Sequence, residues 1–328
     1  MRAHLTAWLL ISLLLTTTGA WAAFGSIYVF GDSLSDNGTA ADVFNVDYPP
    51  PYSSIPAQDI NRVSNGPLAV EVLASQLGLS LNPSLFATSI PAAGTNYAVA
   101  GARAGRTNLG DLASQLTAFQ ANHPGGAPTD ALYVLFIGGN DVLNISNVVD
   151  DTVAALAIST ATQAVETSLN SLVGAGAQSI LVPNVFDIGL TPDAAANRAL
   201  ATQRSVEYNI ALAATLTGVE GSQSINLFEY DLFDFGQRVV ADPLSFGLTN
   251  INDACTTGLP FPVYLGSCND SVINQYAFID NIHPTAKLHN ILGNELLSAI
   301  PVPAAIWLFS SGLIGLIGIA RRRQIIPE

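Results

Sequence analysis

The sequence predicts an α/β fold in which a parallel sheet carries helices on both faces. Three observations lead there. Short apolar, β-rich runs alternate with helix-like segments along most of the chain, the pattern of strand–helix–strand crossovers. Apolar residues make up 49% of the 328 and charged residues only 11%, a composition that packs a core. No internal repeat and no long linker divides the chain, whose length suits one large domain or two modest ones.

The elements follow in order. Ser26–Phe30 is a first buried strand. Pro49-Pro50-Pro51 reads as a short extended loop. A helix starts at Asn65-Gly66-Pro67, with Asn65 as N-cap, and stops at Gly78. Leu132–Ile137 is a second strand. Asp150–Val173 is a long helix closed near Gly174, with an apolar stripe of Val153, Leu156, Ala157, Val165, Leu169, Leu172 and Val173. Ile180–Val182 is a third strand, Pro192 to Leu216 a helix, Ile225–Phe228 a further strand, and Pro284 to Ala299 the last helix. In such a sheet the chemistry is expected at the carboxyl ends of the strands.

Both ends read as targeting segments. Arg2, the apolar stretch Ala7–Leu15 and the small-x-small site Ala20-Trp21-Ala22 make residues 1–22 a secretory signal. At the other end, Ala304–Ala320 is a 17-residue apolar run followed by Arg321-Arg322-Arg323, a short spanning helix with a cytoplasmic basic end. The expected organisation is therefore a signal peptide over 1–22, a body over 23–300 and a C-terminal segment over 301–328. The body holds seven basic and 24 acidic residues, a net charge of −17. Such a charge disfavours polyanionic partners, nucleic acid above all. Two cysteines exclude a Cys-rich metal or iron–sulfur site, and the four histidines form no H-x-x-x-H pair. Cys255 and Cys268, 13 positions apart in a Gly/Pro-rich stretch, read as a disulfide in an exported chain. His289 reads as structural or surface, and His123 as a loop histidine.

Three segments carry the chemistry. Phe30-Gly31-Asp32-Ser33-Leu34-Ser35-Asp36 directly follows the first strand, and a serine in such a turn exposes its hydroxyl at the sheet's edge. It is not a G-x-S-x-G elbow, because Ser35 stands where the second glycine belongs. Phe136-Ile137-Gly138-Gly139-Asn140-Asp141 follows the second strand; its glycines admit a close ligand and the Asn140 amide can donate to an oxyanion. Asp280-Asn281-Ile282-His283-Pro284 precedes the last helix. An Asp three residues before a His can bend back to Nδ1, fixing the tautomer and leaving Nε2 as a base. Alone, each segment also reads as a plain turn or helix cap. Together they supply a nucleophile, a base, an orienter and an oxyanion donor.

The order and flanks of these segments resemble the GDSL family of SGNH hydrolases, over Tyr28 to about Leu297. Gly31-Asp32-Ser33-Leu34, Asn96-Tyr97-Ala98-Val99-Ala100-Gly101, Gly138-Gly139-Asn140-Asp141 and Asp280–Pro284 are the four blocks. Ser64-Asn65-Gly66-Pro67 and Leu181-Val182-Pro183-Asn184 also look like family segments. The resemblance implies a three-layer α/β/α flavodoxin-like fold and ester hydrolysis with no metal and no cofactor. It implies Ser33 as nucleophile, His283 as base and Asp280 as orienter, with an oxyanion hole of the Ser33 and Gly101 N–H groups and Asn140. Ala100 stands where members often carry a first glycine. A backbone N–H serves from either residue, so the donor can sit one position away.

The C-terminal Val302-Pro303-Ala304-Ala305 pattern resembles a PEP-CTERM sorting signal, although Gln324–Glu328 extends past the arginines. That resemblance implies a Gram-negative cell envelope or extracellular location, transient inner-membrane anchoring, and an exosortase-like protease as partner. The expected activity is an exported serine esterase or lipase acting on an acyl lipid or an O-acylated polysaccharide. The alternative is a non-catalytic cell-surface or biofilm matrix protein on a hydrolase fold.

Overall fold

The computed structural model of the chain describes residues 24–44, 62–88, 93–257 and 263–301. The expected signal peptide, the Pro49–Pro51 loop and the apolar run 304–320 lie outside the described residues. Among those described, no helix is long and apolar enough to cross a membrane.

Four strands form the central sheet: β1 (Ser26–Gly31), β2 (Ala131–Phe136), β3 (Ser179–Pro183) and β4 (Asn226–Tyr230). They lie side by side in chain order and all pairs are parallel. The far edge of β1 is bonded by the 95–99 segment: Val29 N–H donates to Thr95 O, and Tyr97 and Val99 donate to Val29 O and Gly31 O. This brings the second block alongside the strand that leads to Ser33.

The helices are α1 (Thr39–Phe44), α2 (Ala69–Gln76), α3 (Leu112–Asn122), α4 (Gly139–Ile145), α5 (Asp151–Ala175), α6 (Arg198–Ser222), α7 (Leu232–Ala241) and α8 (Ala286–Ala299). Successive residues of β1 serve opposite faces. Tyr28 and Phe30 pack in the core shared with α3 to α6, whereas Ile27 and Val29 pack with residues of α2, α7 and α8. The fold is thus the predicted parallel sheet covered by helices on both sides. A small second sheet pairs β5 (Asn250–Ala254) with β6 (Tyr276–Phe278).

Several expectations shift for physical reasons. The helix expected after Asn65 begins at Ala69, with Leu68 at its N-cap position. The Glu71 carboxylate accepts the Leu68 N–H at 2.9 Å, so a first-turn acid replaces the expected cap. Asp150 does cap α5, accepting from Thr152 and Val153, but the helix runs to Gly176, whose φ of +117° ends it. Val153 and Leu156 are exposed at 52% and 69%. The buried stripe instead starts on Ala154, Ile158 and Ala161 before joining Val165, Leu169 and Leu172. The helix expected from Pro192 is two pieces, a 3₁₀ turn over Pro192–Ala196 and then α6. Pro284 precedes α8 and bridges Phe278 instead of opening the helix.

Candidate active site

Ser33 lies on the turn that leaves β1. Gly31 is needed there: a Cβ on it would stand 2.4 Å from the Phe136 carbonyl of β2. The chain then folds back, with the Ser35 and Asp36 N–H groups both donating to Asp32 O at 3.0 Å. Asn96 clamps the turn by donating to Ser35 O at 2.7 Å and to Asn37 Oδ1 at 2.8 Å. Ser33 is 8% exposed.

Facing it, β6 leads into the Asp280–His283 turn. The Asp280 carboxylate accepts the backbone N–H of Ile282 at 2.9 Å and of His283 at 2.8 Å. His283 Nδ1 lies 2.8 Å from Asp280 Oδ2, and His283 Nε2 lies 2.8 Å from Ser33 Oγ. Burial by itself would raise the Asp280 carboxyl. The neighbouring His283 and the bonds from His283 and Ile282 outweigh it and hold the group below the usual carboxylate range. An ionised Asp280 is acceptor-only, so Nδ1 carries the hydrogen and Nε2 is free to accept from Ser33.

The turn is braced from behind. Thr256 donates both its N–H and its hydroxyl to Ile279 O, at 2.7 and 2.8 Å. Cys255 and Cys268 form a disulfide with a Cα–Cα distance of 5.3 Å, packed in one cluster with Ile279. Thr285, at the N-cap position of α8, donates its hydroxyl to Tyr276 O at 2.8 Å.

The third group of residues is the loop over 100–105 and its neighbour Asn140. Gly101 has φ +79°, a left-handed conformation that glycine adopts without cost. Among the described residues neither the Ser33 N–H nor the Gly101 N–H has a hydrogen-bond partner. The Ala100 N–H, by contrast, is committed to Asp36 Oδ2 at 2.7 Å, so of the two adjacent positions only Gly101 has a donor to spare. Asn140 Nδ2 donates to Ala102 O at 3.0 Å. Asp32, Ser33, Asn140 and His283 line one pocket, and Gly101 is not among its lining residues.

Three acids hold this loop, and the sequence signals no role for any of them. Asp36 accepts from Ala100 and from the Gly38, Thr39 and Ala40 N–H groups at the start of α1. Asp141 accepts from Ala104 at 2.8 Å and Gly105 at 2.9 Å. Asp111 accepts from Arg103 at 2.9 Å and pairs with Arg106. Their partners are close in space but up to 64 residues away in sequence, which is why spacing does not reveal them. Burial pushes Asp36 up to about 6 against its four N–H donors. Burial also pushes Asp32 up to about 7, opposed by the Leu34 N–H and by His283 and reinforced by Asp141 and Asp36.

The other two described histidines are structural. His289 is buried, and its Nδ1 accepts the Ala69 N–H at 3.2 Å. Burial, aided by His283, pushes it down to about 3, so it stays neutral. His123 ends α3, stacks on Phe119 at 4.3 Å and bonds the Tyr28 hydroxyl at 3.1 Å. No group of three or more metal-ligating side chains occurs among the described residues.

The chain is similar to known proteins along most of its length. Lipase 1 of Photorhabdus luminescens is 26% identical over 88% of this chain, which spans about half (52%) of that protein's length. A GDSL esterase/lipase of Arabidopsis thaliana is 26% identical, covering 85% of this chain and 86% of its own length. The phosphatidylcholine-sterol acyltransferase of Aeromonas hydrophila is 27% identical, covering 90% and 84%. The GDSL-like lipase/acylhydrolase family matches residues 27–296, a span that contains every block from Ser33 to His283. On that match the chain belongs to the GDSL-like lipase/acylhydrolase family, and with it to the ester-bond hydrolases.

Proposed function

We propose that the chain hydrolyses carboxylic esters through Ser33, His283 and Asp280. The reading is supported above all by the 2.8 Å contacts on either side of the His283 ring, one to Ser33 Oγ and one to Asp280 Oδ2. His283 Nε2 takes the hydroxyl proton as Ser33 Oγ attacks the acyl carbonyl, and Asp280 stabilises the imidazolium that forms. The spare Ser33 and Gly101 N–H groups and the second N–H of the Asn140 amide receive the oxyanion. The alcohol leaves with the proton from Nε2. Water then attacks the acyl-enzyme with the same base, releasing the acid. The names of the relatives, two lipases or esterases and an acyltransferase of phosphatidylcholine, agree with an acyl-ester substrate.

Export is part of the same proposal. The signal-like residues 1–22 support it, and so does the Cys255–Cys268 disulfide, a bond of oxidising compartments. Residues 23–300 are then the hydrolase body, and 301–328 a sorting segment read by an exosortase-like protease after a passing stay in the inner membrane.

The test is covalent. A fluorophosphonate should add once, at Ser33, and Ser33→Ala should abolish labelling and lower kcat by about 10⁴ to 10⁶. Near-wild-type hydrolysis by Ser33→Ala would sink the assignment.

A further inference from the structure

The pocket that holds Ser33 and His283 continues into the body between the sheet and two helices. Its walls are Phe136 at the end of β2, Val185 just after β3, Phe235 of α7, Phe278 of β6, and Leu288 and Leu292 one turn apart on α8. All six are at most 4% exposed. These side chains sit at the strand ends and helix faces where the sheet opens, and nothing of the described chain fills the space between them.

The other polar side chains in the same wall are engaged, except for the buried Nε2 of His289. Asn184 donates to Asp231 at 2.9 Å and accepts from Phe233 at 3.0 Å. Thr191 donates to Ile188 O at 2.8 Å. Asp32 accepts from Leu34 at 3.0 Å, and His289 accepts from Ala69. A sugar placed here would surrender its water hydrogen bonds and find few replacements, at a free-energy cost an alkyl chain does not meet. Ser33, His283 and Asn140 are left for the ester itself, and the only further buried polar side-chain atom without a partner among the described wall residues is His289 Nε2.

The cavity volume is about 70 Å³. A water needs about 10–15 Å³ on this measure, so the space takes about five waters. A methylene needs about as much room as a water. An acetyl group, with its single methyl, leaves most of the cavity empty, and a long fatty chain exceeds it.

We propose that this pocket receives the acyl chain of the ester, and that the substrate is an ester of an unbranched aliphatic acid of about four to six carbons rather than an O-acetylated polysaccharide. The proposal rests on Ser33 as nucleophile. The acyl carbon bonds to Ser33 Oγ with its chain among Phe136, Phe235 and Leu292, the alcohol leaves toward solvent, and hydrolysis releases the free acid.

The experiment is a chain-length series of p-nitrophenyl esters from acetate to dodecanoate on the full chain. Burying one methylene is worth up to about fourfold in kcat/KM. The expected profile climbs two- to fourfold per carbon from acetate to about hexanoate and then levels or falls. Leu292→Phe, which narrows the pocket, should move the optimum to shorter chains. Phe235→Leu, which widens it, should move the optimum to longer ones. Shifts of opposite sign cannot come from partial unfolding, which lowers all esters together. A profile that falls from acetate, or one that keeps climbing to dodecanoate, overturns the proposal. So do variants that leave the optimum in place. In each of these cases Ser33 labelling persists and the hydrolase reading stands; loss of that reading shows instead as hydrolysis that survives Ser33→Ala.

Discussion

Asn140 has two amide hydrogens and only one is committed, to Ala102 O at 3.0 Å. That bond fixes the side chain without using up its donor capacity. An oxyanion donor acts on charge that exists only in the transition state. Asn140→Ala should therefore lower kcat by about 10² to 10³ and leave KM nearly unchanged. Steady-state kinetics on one ester decides it, since a loss confined to KM would make Asn140 a turn residue. Asp32, beside Ser33, gives a prediction in pH. Its folded pKa is raised to about 7 from 3.8, so between those values the folded chain keeps a proton that the unfolded chain has released. Stability from this group is present below about 4 and lost as pH rises through 7. His289, pushed down from 6.5 to about 3, acts with the opposite sign: its contribution is lost as pH falls through that window. Asp32→Asn keeps the acceptor for the Leu34 N–H and removes only the first of these effects. The variant should lose less stability than the wild type between pH 5 and pH 8, by on the order of 1–4 kcal/mol. Parallel melting curves across that range would rule the effect out.

At the scale of the element, strands were easier to read than helix ends. Strands β1 to β3 are built on contiguous apolar runs and β4 on the shorter Leu227-Phe228, and β1 to β4 fall within two residues of the expected spans. Helix ends depend on which distant group meets the free N–H donors. Asn65 illustrates this. Its local sequence suits an N-cap, yet its Oδ1 accepts from Ala286 at 2.7 Å, at the start of α8 and 221 residues on. It also donates to Asn274 Oδ1 at 2.9 Å. The short helix α4 is hidden within the Gly-Gly-Asn-Asp block, and β5 and β6 carry no long apolar run. The site follows the same division. Ser33, Asp280 and His283 could be proposed because serine after a strand and Asp-x-x-His are local patterns. The hold of Asp36 and Asp141 on the 100–105 loop could not, because the Ala100, Ala104 and Gly105 N–H groups they accept from lie far away in sequence. Asn65 also links stability to chemistry, since α8 begins three residues after His283. Asn65→Ala should cost about 1 kcal/mol, as a lost cap does, and should lower kcat with little change in KM. Asn65→Asp, which keeps the acceptor, should restore most of both. A melting temperature unchanged in Asn65→Ala would show that the bond does not hold α8.

For the whole molecule, residues Phe24–Ile300 form one compact unit. The family match over 27–296 lies inside it, as do all residues from Asp32 to His283 that meet at the site. The boundary at its C-terminal end is sharp in packing terms. Leu296 is fully buried and Ile300 is 3% exposed in the core that includes α2, α7 and α8, whereas Pro301 is exposed. Tolerance of a truncation follows from what the removed residues bury and bond. A chain over 24–300, produced with its disulfide oxidised, should therefore melt at the same temperature as the longer chain and hydrolyse the same esters at the same rate. Its net charge of −17 keeps it soluble and repels the carboxylate product once released. A cut only five residues further in, after Glu295, removes Leu296 and Ile300 from the core. Burying two such side chains is worth about 3–6 kcal/mol, so this shorter chain should unfold at lower temperature and lose activity with its fold. Thermal melts and ester hydrolysis on the two truncations measure the difference. If the 24–300 chain melts early, or if the cut after Glu295 is harmless, the body does not end where its packing does.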